Sequence, residues 1–297
     1  MPNSTYVLIT PARNEEGYIE KTIQSVISQT VTPLKWIIVS DGSTDKTDAI
    51  VERYLSTHPF ITLLRREGDA VRNFGSQVRA FRAGYEQLYR TDYDYIGNLD
   101  ADVSFPPHYY ETILNRLNAN KGLGLAGGCI FEEQEGQFKS RPGNRVHSVA
   151  NAIQLFRRNC FEEIGGYILL KYGGHDSYAE VMARLKKWEV RAFPDLHVYH
   201  HKPTLTAEGR LKGGFRQGRM DYALGSSPIF EVFKCLLRIG AKPHGLYSIS
   251  RLSGFMWGYV VREKRPVSRD FITHLRREQT RKIVLAILHP LHPMAYD

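Results

Sequence analysis

The chain has 297 residues, 42% apolar and 24% charged, the balance of an ordinary globular protein long enough to bury a core unaided. That balance argues against a disordered, collagenous or coiled-coil chain, and three well-separated cysteines (Cys129, Cys160, Cys235) argue against a disulfide framework or a cysteine zinc site. The net charge of +9 is lopsided: from Lys202 onward 17 Lys/Arg face 7 Asp/Glu, while residues 1–201 sum to −1.

The first apolar, β-branched run, YVLIT at 6–10, predicts a strand ending at Pro11. Ile19, Ile23, Val26 and Ile27 follow at helical spacing, behind an acidic first turn of Glu15 and Glu16. WIIVS at 36–40 is a second buried strand, ending at Asp41-Gly42-Ser43, and a helix carrying Ile50, Val51, Tyr54 and Leu55 comes next. FITLLRR at 60–66 is a third strand and 76–90 a helix. DYIGNLDAD at 94–102 is a strand running into an acidic turn, 107–119 a helix, and 122–131 a glycine-interrupted strand. Residues 134–147 read as a polar loop. Beyond it lie the turn YGGHD, a helix AEVMARLKKW, and two short strand-like pieces, VRAFP and VYHH. No internal repeat or low-complexity tract interrupts the series.

Alternating strands and helices predict an open, mainly parallel α/β sheet, in which ligands bind beyond the carboxyl ends of the strands. Three polar clusters follow predicted strands: Arg13-Asn14-Glu15, Asp41-Gly42-Ser43 and Asp100-Ala101-Asp102. They should converge on one edge. Two carboxylates at i and i+2 after a strand suit a hard divalent cation that bridges to phosphate oxygens, although the same pattern also occurs in plain solvated turns. No GxxxxGK[ST] run and no GxGxxG after the first strand occurs, which sets aside a P-loop and a dinucleotide-binding Rossmann site.

TPARNEE (10–16), VSDGSTD (39–45), LDADV (99–103), QLFRRNCFEEIGGY (154–167) and GGHDSYAEVMAR (173–184), in this order, resemble the inverting family 2 glycosyltransferases of GT-A fold. The resemblance spans about residues 5–205 and implies a nucleotide-sugar-binding catalytic domain over 1–205, with a basic helical region over 206–297. It implies that Pro11, Ala12, Arg13 and Glu15 line the nucleotide pocket and that Asp41 reads the nucleobase. Asp100 and Ala101 would lie at the donor, with Asp100 at the ribose or metal, and Asp102 would be the direct ligand of a divalent cation, Mg²⁺ or Mn²⁺. Asp176 would be the general base, though it also suits a helix cap, and His175 stands where many relatives carry an acidic residue. His201 would approach the diphosphate or metal, with His200 the neighbouring alternative. Arg79, with Arg72 and Arg82, is a candidate diphosphate contact that could equally be a solvated helix face, and Gln77 stands where a lysine would be unsurprising. The implied donor is a nucleoside-diphosphate sugar, UDP favoured, and the implied acceptor a glycan or lipid-linked hydroxyl of cell-surface polysaccharide or glycolipid synthesis. A catalytically inactive nucleotide-sugar-binding scaffold is the alternative.

The basic C-terminal third reads as amphipathic helices: IFEVFKCLLRI (229–239), LSGFMWGYVVREKRPVSR (252–269) and LRREQTRKIVLAIL (275–288). Such segments either pack on the sheet or lie on an anionic membrane. Arg216 and Arg219, in FRQGRMDY, are plausible diphosphate partners. With no signal-peptide pattern and no run long enough to span a bilayer, the sequence predicts a cytoplasmic place, at most peripheral on the inner face of the plasma membrane. A neutral front domain without a recognition motif argues against nucleic acid as a partner.

Overall fold

The computed structural model describes residues 4–68, 74–134, 136–202, 209–239 and 245–288. The chain divides into two compact units, Met1–Leu169 with Lys186–Pro203, and Leu170–Leu185 with Thr204–Asp297.

The first unit runs β1 (Tyr6–Ala12), α1 (Ile19–Ile27), β2 (Lys35–Asp41), α2 (Thr47–Leu55), β3 (Ile61–Arg66), α3 (Phe74–Glu86), β4 (Tyr95–Leu99), β5 (Val103–Ser104), α4 (Tyr109–Ala119), β6 (Leu123–Gln134), β7 (Gln137–Ser140), β8 (Ile153–Arg157) and α5 (Arg158–Glu163). The chain leaves this unit through α6 (His175–Leu185) and returns with β9 (Glu189–His200). The sheet order is β3-β2-β1-β4-β8-β6-β9-β5, with β7 beside β6. β3, β2, β1 and β4 are parallel, as expected of strands joined by helical crossovers. β8 lies antiparallel between β4 and β6, and β9 returns parallel to β6.

β1 and β2 are continuous apolar runs because both of their faces are covered. Tyr6, Leu8, Trp36 and Ile38 share one core with Ile19 and Ile23 of α1, Val51 of α2 and Tyr110 of α4. On the other face Ile9, Ile37 and Val39 crowd Gly84 of α3. The buried polar groups of this core are paired: the Trp36 indole donates to Thr10 Oγ1 at 2.8 Å and the Tyr6 hydroxyl to the Val31 carbonyl at 2.7 Å.

Two expectations are corrected. The stretch 134–147 is not all loop: its start forms a hairpin, Gln134 opposite Gln137 and Phe131 opposite Ser140. β7 is exposed along its whole length, so it carries no alternating burial to read. Phe138 nevertheless packs on Tyr199, ring centroids 4.9 Å apart. VRAFP and VYHH are one strand, β9, whose register slips opposite Gly128 and Cys129. As expected, β4 ends at Leu99 and the chain runs on into the acidic turn at 100–102.

The second unit is helical: α6, α7 (Arg210–Ala223), α8 (Pro228–Leu237), α9 (Leu246–Val260) and α10 (Arg269–Leu288). α7 and α9 cross at backbone contact through GFRQG (214–218) and GFMWG (254–258). A Cβ on Gly218 would sit 1.9 Å from the Arg251 carbonyl oxygen, and one on Gly254 2.0 Å from that of Phe215, so only glycine permits the crossing. Beside it lies a buried charge cluster. The Arg251 guanidinium donates to Glu231 Oε1 at 2.7 Å and to Asp221, and Lys234 reaches Asp221 at 3.0 Å and Glu231 at 2.9 Å. Two cations against two carboxylates keep this interior charge balanced.

Candidate active site

Where β1 and β2 end, their turns are tied to each other. Asn14 takes a left-handed conformation (φ 55°), a region that asparagine tolerates, and its Oδ1 accepts the Thr44 amide at 2.8 Å. The Glu15 amide donates to Thr47 Oγ1 at 2.8 Å and the Glu16 amide to Asp45 at 3.0 Å. The two loops therefore form one rigid lip, with the Glu15 carboxylate buried and held by Lys202 Nζ at 2.7 Å. Asp41, the last residue of β2, is buried, and Arg66 at the end of β3 donates to it at 2.6 Å.

The turn after β4 carries the third cluster. The Asp100 carboxylate accepts from Gln77 of α3 at 3.0 Å and from Asn151 at 3.4 Å. Burial, then the neighbouring Asp102 charge, push Asp100 up to about 7. Asp102 is buried, and its Oδ1 has no hydrogen bond; His200 Nε2 stands 3.4 Å from it. Burial alone would lower the His200 imidazole, but Asp102 and Asp100 outweigh it and hold His200 above its ordinary value.

These turns enclose a cavity of about 210 Å³, lined by Pro11, Ala12, Arg13, Glu15, Asp41, Ser76, Gln77, Ala80, Asp100, Ala101 and Asp102. The predicted convergence at the carboxyl ends of β1, β2 and β4 is thus present in the geometry. Arg79 sits half-buried on α3 but does not line this cavity; Ser76, Gln77 and Ala80 do. Arg82 donates to the Tyr167 carbonyl at 2.9 Å, and Arg72 lies outside the described residues. His201 Nε2 pairs with Ser104 Oγ at 2.8 Å, so it is His200, the alternative, whose ring faces Asp102. Asp176 belongs to the second unit, in the first turn of α6. Gly174, not Asp176, accepts the Tyr178 amide there, at 2.9 Å, and the helix N-terminus favours a carboxylate at Asp176. Burial holds the neighbouring His175 below its ordinary imidazole range, against the opposing Asp176 charge. In the same unit the Arg219 guanidinium is taken up by Glu263 at 2.6 Å, and Arg216 donates to the Tyr172 carbonyl at 3.1 Å.

The donors fit a hard divalent cation. Two carboxylates stand near enough to raise Asp100, and one buried oxygen of Asp102 lacks a hydrogen bond. Among the described residues no group of three or more His, Cys, Asp or Glu forms a complete cage. One or two carboxylates completed by substrate phosphates is the usual pattern for Mg²⁺-type sites. Sequence reasoning did not single out Arg66, Asn151 or Lys202, which reach the cavity residues only through tertiary contacts. Asn98, beside them, donates to the Asn151 carbonyl at 2.6 Å.

A family model described as "Glycosyl transferase family 2" matches residues 7–179. Chondroitin synthase of Pasteurella multocida is 28% identical over 121 residues, 41% of this chain and 11% of that protein. Glycosyltransferase YibD of Escherichia coli is 32% identical over 156 residues, 50% of this chain and 42% of that one. The chain thus matches less than half the length of these relatives. Among solved structures, the mannosyltransferase PcManGT from Pyrobaculum calidifontis, in complex with GDP-Man and Mn²⁺, shares the fold at TM-score 0.56 and 17% identity, covering 98% of this chain and 82% of that one. TarS 1–349 of S. aureus, in complex with UDP-GlcNAc, does so at TM-score 0.55 and 12% identity, covering 98% and 88%.

Proposed function

The chain belongs to glycosyl transferase family 2, and from that premise we propose that it moves a sugar, with inversion, from a nucleoside-diphosphate sugar to a hydroxyl of a glycan or lipid-linked acceptor. The observation that carries the proposal is that one cavity at the ends of β1, β2 and β4 is lined by Asp41 together with Asp100 and Asp102. Cell-surface polysaccharide or glycolipid synthesis is the setting, with the protein peripheral on the inner face of the plasma membrane. Among the described residues no helix is long and apolar enough to cross a membrane.

Each group has a task in this reading. Asp41, fixed by Arg66, accepts from the nucleobase, and Pro11, Ala12, Arg13 and Glu15 shape the pocket around the nucleotide. Asp102, with Asp100, would hold a divalent cation, Mg²⁺ or Mn²⁺, which when bound neutralises charge on the departing diphosphate. His200 places its imidazole ring beside Asp102. The acceptor oxygen attacks the anomeric carbon, Asp176 takes the hydroxyl proton, and the bond to the diphosphate oxygen breaks in the same displacement, which inverts the anomeric configuration. A uridine donor is the form the family resemblance favours; the two solved neighbours hold a guanosine and a uridine donor.

Release of nucleoside diphosphate from a panel of UDP-, GDP- and dTDP-sugars, with a glycan acceptor mixture, tests the reading. One donor class should be consumed in Mn²⁺ or Mg²⁺, release should stop in EDTA, and added Mn²⁺ should restore it. Release that EDTA leaves untouched would remove the cation from the proposal.

A further inference from the structure

The second unit is built inside-out. α8 and α9 pack on each other, with the Ser248 hydroxyl donating to the Cys235 carbonyl at 2.9 Å and Arg251 bound to Glu231. Their charged residues Glu231, Lys234 and Arg251 point inward, to Asp221 of α7. Their outward sides are apolar. Ile229, Val232 and Leu236 fall at i, i+3 and i+7 on α8, with Ile229 73% exposed. Leu246, Ile249, Met256 and Val260 form one stripe on α9, with Ile249 62% exposed and Trp257 beside it 47% exposed. Among the described residues seventeen large apolar side chains are exposed in this unit, against four (Leu34, Tyr89, Phe138, Leu169) in the larger one. Such a concentration marks a surface with a partner.

Charge decides which partner. The part of the chain from Lys202 onward carries 17 Lys/Arg against 7 Asp/Glu. Just after the α9 stripe, Arg262, Lys264 and Arg269 are exposed, and Arg238 is exposed just after α8. An uncharged protein groove would match the apolar stripe but not this excess. A second copy of the chain would bring the same positive charge against itself. An anionic bilayer matches both: its headgroups attract the Lys/Arg rim, and its acyl boundary takes Ile, Leu and Trp side chains.

We propose that the outward face of α8 and α9 seats on an anionic lipid bilayer, lying in its interface without crossing it. The inference deepens the membrane placement given above and rests on it, but it does not depend on sugar transfer. The test therefore contains no donor. The full chain is sedimented with vesicles of phosphatidylcholine alone and of phosphatidylcholine with phosphatidylglycerol, at low and high salt, beside the double variant Ile249→Glu/Trp257→Glu. Circular dichroism checks that the variant is folded, and Leu34→Glu serves as a control on the other unit. Binding to the phosphatidylglycerol vesicles is expected, weaker at high salt and on phosphatidylcholine, with the double variant at least about tenfold weaker and the control unchanged. Failure of the folded chain to bind phosphatidylglycerol vesicles, or equal binding by the double variant, overturns the proposal. So does light scattering that finds a lipid-free dimer which the double variant splits, since a second copy would then cover the face. Any of these results leaves the cavity and its transfer chemistry to be judged on donor turnover.

Discussion

Asp102→Asn should lower sugar transfer by at least about 10²-fold, because the carboxylate would hold the cation that stabilises the charge developing on the departing diphosphate. The substitution keeps the shape of the side chain and takes away its charge. The local fold should survive, because the Asp102 carbonyl still accepts the His201 amide at 2.9 Å, and Asp102 Oδ1 makes no hydrogen bond that asparagine would lose. The metal-free variant should melt close to the parent, because it gives up the 3.4 Å ion pair with His200 while it relieves the crowding of charge on Asp100. Burial and the Asp102 charge together push Asp100 up to about 7, so removing that charge relieves one cause of strain between neighbouring carboxylates. Turnover and a melting curve on the same preparation check both halves. A folded variant within tenfold of parent turnover would take Asp102 out of the site.

The second large effect belongs to Asp176. Asp176→Asn should cut kcat by about 10²–10⁴-fold, the usual worth of a positioned general base, while the donor KM stays near the parent value. The split follows from the proposed roles: the cavity residues would hold the donor, and Asp176, in the first turn of α6, would take only the acceptor proton. Asparagine is tolerated near a helix N-terminus, so a loss through unfolding of α6 is not expected. Steady-state kinetics with saturating acceptor read the split directly. A parent-like kcat would remove Asp176 as the base, and a raised donor KM with unchanged kcat would make it a binding residue instead.

The parts of the fold that were readable in the sequence are those with one strong physical cause. β1 and β2 are buried on both faces, so they appear as unbroken apolar runs, and α1 shows its buried stripe of Ile19, Ile23 and Val26. β7 was not readable, because a fully exposed QFKS has neither run nor alternation. The candidate site divides the same way. Strand-end residues such as Asp41 and Asp100 follow from strand positions alone. Arg66, Asn151 and Lys202 do not, since each reaches its partner across 25, 51 and 187 residues of chain. His200 and His201 could not be told apart by spacing, because β9 ends at His200 and the ring that faces Asp102 is set by tertiary partners such as Ser104, which takes His201. The glycines of α7 and α9 went unread, because their meaning depends on which helix meets which.

Thermal denaturation of the parent chain with UDP-, GDP-, dTDP- and CDP-sugars, each with and without Mn²⁺, asks most directly whether the cavity at the ends of β1, β2 and β4 is a donor site. A ligand that binds only the native state at 100 times its Kd adds about 2.7 kcal/mol, a readily visible shift. The expected result is stabilisation by one nucleotide class, present with Mn²⁺, absent without it, and lost in Asp102→Asn. A flat panel from folded protein, or a shift indifferent to the metal and to Asp102, would contradict it.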